Sequence, residues 1–422
     1  SCKDAQWYRQ KPTQLRKAEM PGTPKYDILL YGATGFTGKL TAAYLSGHPD
    51  LTGKRWAIAG RNAAVLAEVH SSLESEHVEV VVCALDDEAA VEAMVRSTRV
   101  VITTAGPYSS YNGEALLSAC ARLGVHYSDL SGEGFWQREM IDGYHETAIE
   151  SGAKIVLGGG VDSIPSDLGA YLALQHCEAS LSATDPIQLT AVYTEYSGSF
   201  SGGTLASGRA RQAAIKSGRL TAEALHDPYV LAPNTTGADS AVATLDGMPK
   251  GFRYQRVSGL GRLLPFFMGQ INAPVVRRSL ALFGQADTVS YRECCSPGMW
   301  ARVAWLYSSR GLGFPLGDPI NFKPKSGQGP PKWMLTQGQF TVEVHARAGS
   351  TTLCKVTIAG KGDPGYGATS KMLGEVALCL MHDHDTKPDE AGVLTPATAL
   401  GDALVERLSE ADDGRFMRFE IA

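Results

Sequence analysis

The chain has no CxxC pair, no apolar run long enough to cross a bilayer, no internal repeat and no excess of basic charge. Each absence removes a class of function. Eight cysteines scattered over 422 residues are not a disulfide framework. They point to reduced thiols in a reducing, intracellular compartment. The adjacent pair Cys294-Cys295 reads as two thiols rather than a redox or metal pair, because no His or Cys partner is spaced for a site. A net charge of −5 gives no argument for nucleic-acid binding. Asn234 opens an N-x-T sequon, but no secretory signal is seen, so the sequon reads as chance.

The longest uncharged candidate for a membrane segment is Leu263–Val276. It holds two prolines and is shorter than the ~20 residues a spanning helix needs. Arg256 and Arg262 precede it, and Arg277 and Arg278 follow it. Two readings stay open: an apolar loop packed in a subunit contact, and a peripheral segment lying in a membrane interface. Residues 1–25 are a proline-bearing basic arm without hydrophobic periodicity. The first residue is Ser1, which fits either a processed targeting peptide or a trimmed boundary.

The richest stretch is Tyr26 to Leu45. An apolar run (Ile28 to Tyr31) reads as a buried parallel strand. It stops at Gly32-Ala33-Thr34-Gly35-Phe36-Thr37-Gly38, and helical spacing follows. Strand, glycine turn and helix are the context of a dinucleotide-binding turn. Gly32 serves the sharp turn, Gly35 the close approach of backbone to pyrophosphate, and Gly38 the packing of helix on strand. The helix N-terminus offers N–H groups and partial positive charge to phosphates. A structural turn in another α/β protein is the plainer reading, since GxxGxxG is looser than GxGxxG.

A second strand ends at Gly60-Arg61-Asn62. An acid there would take the ribose hydroxyls of NAD, whereas Arg61 fits the extra phosphate of NADP. NADP(H) is therefore favoured over NAD(H). Asp86, after the third strand, is placed beside the adenine. Ala105-Gly106-Pro107-Tyr108, after the fourth, is placed beside the nicotinamide ribose. Strands and helices alternate, which predicts a parallel sheet with ligands at its carboxyl edge. Asp129 and Glu133 fall at that edge. Asp162 sits in VDSIPSDLG, a stretch that also suits a helix cap. Beyond residue 185 the alternation ends. Met299–Ser308, Phe340–Ala348 and Thr352–Gly360 read as strands of a mainly antiparallel sheet in a second domain. His382-Asp383-His384 is not read as a metal site, since adjacent residues at a helix end rarely converge on one ion.

With these segments in place, the chain resembles the saccharopine dehydrogenase-like oxidoreductases, including those called trans-acting enoyl reductases. The motifs that carry the resemblance are GATGFTG (32–38), AGR (59–61), AGPY (105–108), HYSDLSGE (126–133), VDSIPSDLG (161–169), SGGTLAS (201–207), DPGYGATSKMLGE (363–375) and GVLTPATALGDALVERL (392–408). The resemblance implies an α/β fold: a Rossmann-type parallel-sheet domain (26–160), an inserted α+β substrate or dimerisation domain (161–362), and C-terminal helices (363–422) packing back on the first domain. It also looks like the branch whose animal members associate with lipid droplets and membranes. A set of basic side chains for a dicarboxylic amino acid, as in the saccharopine enzymes proper, is not assignable from the sequence.

The expected activity is hydride transfer between NADPH and a carbonyl, imine or activated double bond of a small or lipid-like molecule. Tyr108, Asp129 and Asp162 are the candidate proton donors. The alternative is a non-catalytic, nucleotide-binding, membrane- or complex-associated protein that keeps the fold. Under either reading a homodimer is an expected assembly.

Overall fold

A computed structural model describes residues 24–75, 77–178, 186–198, 202–221, 227–233, 253–302, 329–330, 332–382 and 390–422. Most of the basic arm, and Asp383 and His384, lie outside them.

The first half alternates as expected: β1 (Tyr26–Tyr31), α1 (Phe36–Ser46), β2 (Trp56–Gly60), α2 (Ala63–Ser71), β3 (Val78–Val82), α3 (Glu88–Arg96), β4 (Thr98–Thr103), α4 (Gly113–Leu123), β5 (His126–Asp129), α5 (Gly134–Ser151) and β6 (Lys154–Val156). With the late strand β13 (Gly392–Leu394) these form a seven-stranded parallel sheet ordered β13-β6-β5-β4-β1-β2-β3. Winding reverses between β1 and β4, which opens a crevice at their carboxyl ends. Period-two alternation divides the core between the two faces. Ile28, Leu30, Val100 and Ile102 point to one face, and Leu29, Tyr31 and Val101 to the other. Each such buried side chain contributes about 1.5–3 kcal/mol.

After α6 (Ile164–Glu178) the chain builds a second sheet from β7 (Ile187–Ser197), β8 (Gln255–Val257), β9 (Gly261–Pro265), β10 (Val289–Cys295), β11 (Gln339–Ala348), β12 (Thr351–Lys361) and β14 (Met417–Ile421). Its order is β14-β12-β11-β7-β10-β9-β8, antiparallel except for the pair β7–β10. α7 (Gly202–Lys216) and α8 (Gly269–Leu282) belong to this half. α9 (Thr369–His382) returns to the first sheet and lies beside α1 across β1, β4 and β5. α10 (Pro396–Gly414) packs on α9 and α6. One continuous core runs from the first sheet through these helices to the second.

Two sequence readings need correction. Residues 297–302 are helical, so Met299 does not begin a strand. The strand of that region is β10, where Cys294 and Cys295 point to opposite faces and are both fully buried. The C-terminal segment also supplies more than helices, because β13 extends the first sheet and β14 the second.

Most of the apolar stretch Leu263–Val276 is interior, with Gln270 exposed. Phe266 is 0% exposed and stacks on Tyr193 with ring centroids 3.9 Å apart. Arg277 and Arg278 turn inward onto main-chain carbonyls, with donors 2.7 Å from Tyr291 O and 2.8 Å from Leu231 O. Neither reading offered above describes this: the segment packs against its own chain, with its flanking arginines held by main-chain carbonyls. Among the described residues no helix is long and apolar enough to cross a membrane.

Candidate active site

The glycine turn has the shape a dinucleotide needs. Gly32 has φ +83°, and a Cβ there would lie 2.9 Å from the Ala105 amide nitrogen. A Cβ on Gly38 would collide with the Gly32 carbonyl and approach Thr104 Oγ1 to 2.8 Å. Neither position tolerates a side chain. Thr104 Oγ1 donates to Gly32 O at 3.0 Å and so locks the β4 loop to the turn. Gly35 is the N-cap of α1, which has no capping side chain and no acid in its first turn. The N–H groups opening α1, around Thr34, Phe36 and Thr37, therefore face an edge free of competing negative charge.

Arg61 follows β2 directly, is exposed, and has no ion-pair partner among the described residues. Asn62 caps α2 by accepting from Val65 N at 3.2 Å. Asp86 is exposed beyond β3, beside a recess of about 220 Å³ that Asn112 also lines. These residues fit an NADP-type nucleotide: a cradle that only glycine can form, an uncapped helix start, and an exposed guanidinium after β2 with no ion-pair partner among the described residues.

The loop after β4 forms the next wall. Ala105 N donates to Thr103 Oγ1 at 3.2 Å, and the Gly106-Pro107 bond is cis. Glu133, 6% exposed, accepts from Tyr108 N at 2.8 Å and also binds Ser109 N and Oγ. It fixes the loop by charge-assisted hydrogen bonds.

A cavity of about 380 Å³ opens from this loop. Thr37, Thr104 and Gly106 border it on the nucleotide side, and Met268, Ile271 and Pro274 of the α8 region form the far wall. Leu130, Phe135, Val161 and Leu220 make most of it apolar, and among the described residues Glu133, Asp162, Arg211 and Asp227 are its charged members.

The three sequence-predicted proton donors meet different fates here. Tyr108 lines the cavity with its ring, stacked on Trp136 at 5.3 Å. Its hydroxyl donates to Thr103 O and accepts from Leu130 N, both at 3.0 Å. Burial also pushes it well above the ordinary tyrosine range. That proton is committed to the loop.

Asp129 is fully buried and lies outside the cavity lining. It accepts from Tyr127 Oη and Ser131 N at 3.0 Å and from Gly158 N at 3.2 Å. It joins the loops after β5 and β6, and burial outweighs those bonds to raise its carboxyl to about 6.

Asp162 does line the cavity. Its residue surface is partly open because the cavity reaches it, yet protein surrounds the carboxyl and desolvation pushes it up to about 6. No hydrogen-bond partner stands beside it among the described residues. Gly132 lies close by: a Cβ added there would come within 3.9 Å of Oδ2.

Sequence reasoning placed Glu133 at the carboxyl edge without a role, and it missed Thr104, Arg211 and the Met268–Pro274 wall. Thr104 carried a signal, since it follows β4 directly across from the turn. The others come from segments far along the chain, and only the tertiary fold brings them to the crevice.

Comparison with known proteins agrees with this geometry. Residues 28–156 match the family model of the saccharopine dehydrogenase NADP binding domain. A trans-acting enoyl reductase of Mycobacterium bovis is 33% identical over 419 residues, which cover 93% of this chain and 97% of that protein. A Mycobacterium tuberculosis protein that carries the same name provisionally is 36% identical over 414 residues, with the same coverage of each. Apo saccharopine dehydrogenase from Saccharomyces cerevisiae aligns in space over 94% of this chain and 99% of its own, at 12% identity and a TM-score of 0.48, too slight a likeness to build on. The domain is of the NADP-binding kind, so NADP(H) is the favoured cofactor. The chain belongs to the saccharopine dehydrogenase-like oxidoreductases, the family that includes the trans-acting enoyl reductases.

Proposed function

We propose that this protein reduces an activated carbon–carbon double bond in an apolar acyl substrate, with Asp162 as proton donor. The observation that carries the proposal is a carboxyl with no hydrogen-bond partner among the described residues, lining a mostly apolar cavity that opens onto the glycine turn; desolvation there raises it to about 6. Bound NADPH would supply a hydride. The rest is the work of the chain. The turn and Arg61 would hold the nucleotide, and the loop fixed by Glu133 would shape the boundary between nucleotide and cavity. Leu130, Phe135, Met268 and Ile271 would exclude water and receive an aliphatic chain. A carboxyl that keeps its proton to about pH 6 can give it to a carbon or oxygen that gains negative charge. The names of the relatives favour an enoyl group over a carbonyl or imine.

The test is NADPH consumption with enoyl thioesters, aldehydes and imines, in wild type and Asp162→Asn. Enoyl thioesters are expected to be consumed, and the variant to lose about 10²–10⁴ in kcat while binding NADPH normally. An undiminished rate in Asp162→Asn would remove Asp162 from the chemistry. Consumption confined to aldehydes or imines would move the reaction to another bond.

A further inference from the structure

Arg211 is a cation with unspent donors facing the cavity. It projects from α7 and lines the cavity. Its one contact among the described residues is a 3.3 Å hydrogen bond from a guanidinium nitrogen to Gln270 Oε1, a neutral amide. Other inward-turned arginines of this protein are occupied. Arg278 spends its terminal nitrogens on Leu231 O and Val393 O. Arg407 binds Glu375 at 2.8 Å and Asp50 at 2.9 Å.

The acids that share the cavity do not neutralise Arg211. Glu133 is engaged by Tyr108 and Ser109. Asp227 accepts from Tyr229 N at 2.8 Å. Asp162 makes no ion pair with it. Burial already disfavours the charged guanidinium and lowers its pKa. A partly desolvated cation with no counter-ion among the described residues is costly, and an anion brought by a ligand offsets that cost.

We propose that the ligand of this cavity is an aliphatic molecule bearing one anionic group, and that Arg211 holds that group while the apolar walls hold the chain. The proposal rests on reading this cavity as the substrate site and adds the substrate's charge to that reading. A planar guanidinium fork suits carboxylate and phosphate alike. The anion can therefore be the carboxylate of an acyl chain or the phosphate of a pantetheine-type thioester.

The test is calorimetric titration of the full chain with octanoate, octyl phosphate, octanol and octanamide, in wild type, Arg211→Gln and Arg211→Lys. No reduction is measured, so a failed reductase assay and a failed anion site remain separate results. At least one anion is expected to bind about ten-fold or more tighter than both neutral compounds. The better of the two anions identifies the source. Arg211→Gln should abolish that preference without weakening octanol, and Arg211→Lys should keep part of it. Unchanged NADPH binding shows that a variant is folded, and the wild-type series decides the matter alone if neither variant folds. Equal affinity for charged and neutral octyl compounds, no binding of any of the four, or an undiminished preference in Arg211→Gln would overturn the proposal.

Discussion

Replacing Asp162 by Asn should stabilise the protein, and the gain should grow with pH. In the folded chain this carboxyl titrates near 6, against an ordinary value of 3.8. Between those values the folded state holds a proton that the unfolded state has released. Stability therefore falls as pH rises through that window, which is the opposite of a salt-bridged acid. Asn cannot ionise and has no hydrogen bond to lose at this site. Integrating the two titrations gives a variant more stable by about 1.5 kcal/mol at pH 5 and up to about 3 kcal/mol at pH 8. Water reaching the group through the cavity reduces both figures. Asp129 and Asp167, also near 6, are present in both proteins and cancel in the difference. Urea titrations followed by tryptophan emission at pH 5, 6, 7 and 8 measure that difference. A gain that is flat or shrinks with pH would refute the argument, whatever happens to activity. If the stabilised variant is also inactive, the charge is retained for chemistry at a cost in stability.

Four other substitutions probe separate parts of the fold. Arg61→Ala should weaken NADPH about ten- to hundred-fold and leave NADH unchanged, read by nicotinamide fluorescence; equal losses for both nucleotides would place Arg61 elsewhere. Gly38→Ala should abolish NADPH binding and cost about 1–3 kcal/mol, because its Cβ would meet the Gly32 carbonyl. The matched change Gly143→Ala, on a helix with open space at that position, should stabilise by about 0.5–1 kcal/mol. Arg407→Ala should cost about 3 kcal/mol in urea denaturation, since it strips Glu375, 1% exposed, of its cation. A loss below about 1 kcal/mol would mean that Tyr44 and His48 suffice for that carboxylate.

The parallel sheet was legible because its signals are local. Ile28 to Tyr31 forms a short apolar run, the glycines fall where strand meets helix, and Arg61 ends the next strand. The cavity was not legible. Arg211, Met268 and Ile271 lie on segments whose sequence says only helix or apolar stretch, and their meeting with Asp162 depends on how α7 and α8 pack. Leu263–Val276 looked adaptable to a membrane because flanking arginines suggest headgroups. Nothing local shows that Arg277 and Arg278 find carbonyls on Tyr291 and Leu231. Tyr108 and Asp129 stood in the right loops. Which of their atoms hydrogen bonds had already claimed is a tertiary fact.

The late return of α9 and β13 has a consequence for synthesis. The stretch that recognises the nucleotide leaves the ribosome long before its own sheet can be finished. β6 waits for β13 to pair with Lys154–Val156, and the face of β1, β4 and β5 waits for α9. At about 5–20 residues per second, that interval is on the order of ten to fifty seconds. Throughout it a bare parallel edge and an uncovered apolar face are open to wrong partners. Any holdase that acts on this nascent chain should engage it in that interval and let go once Leu394 has emerged.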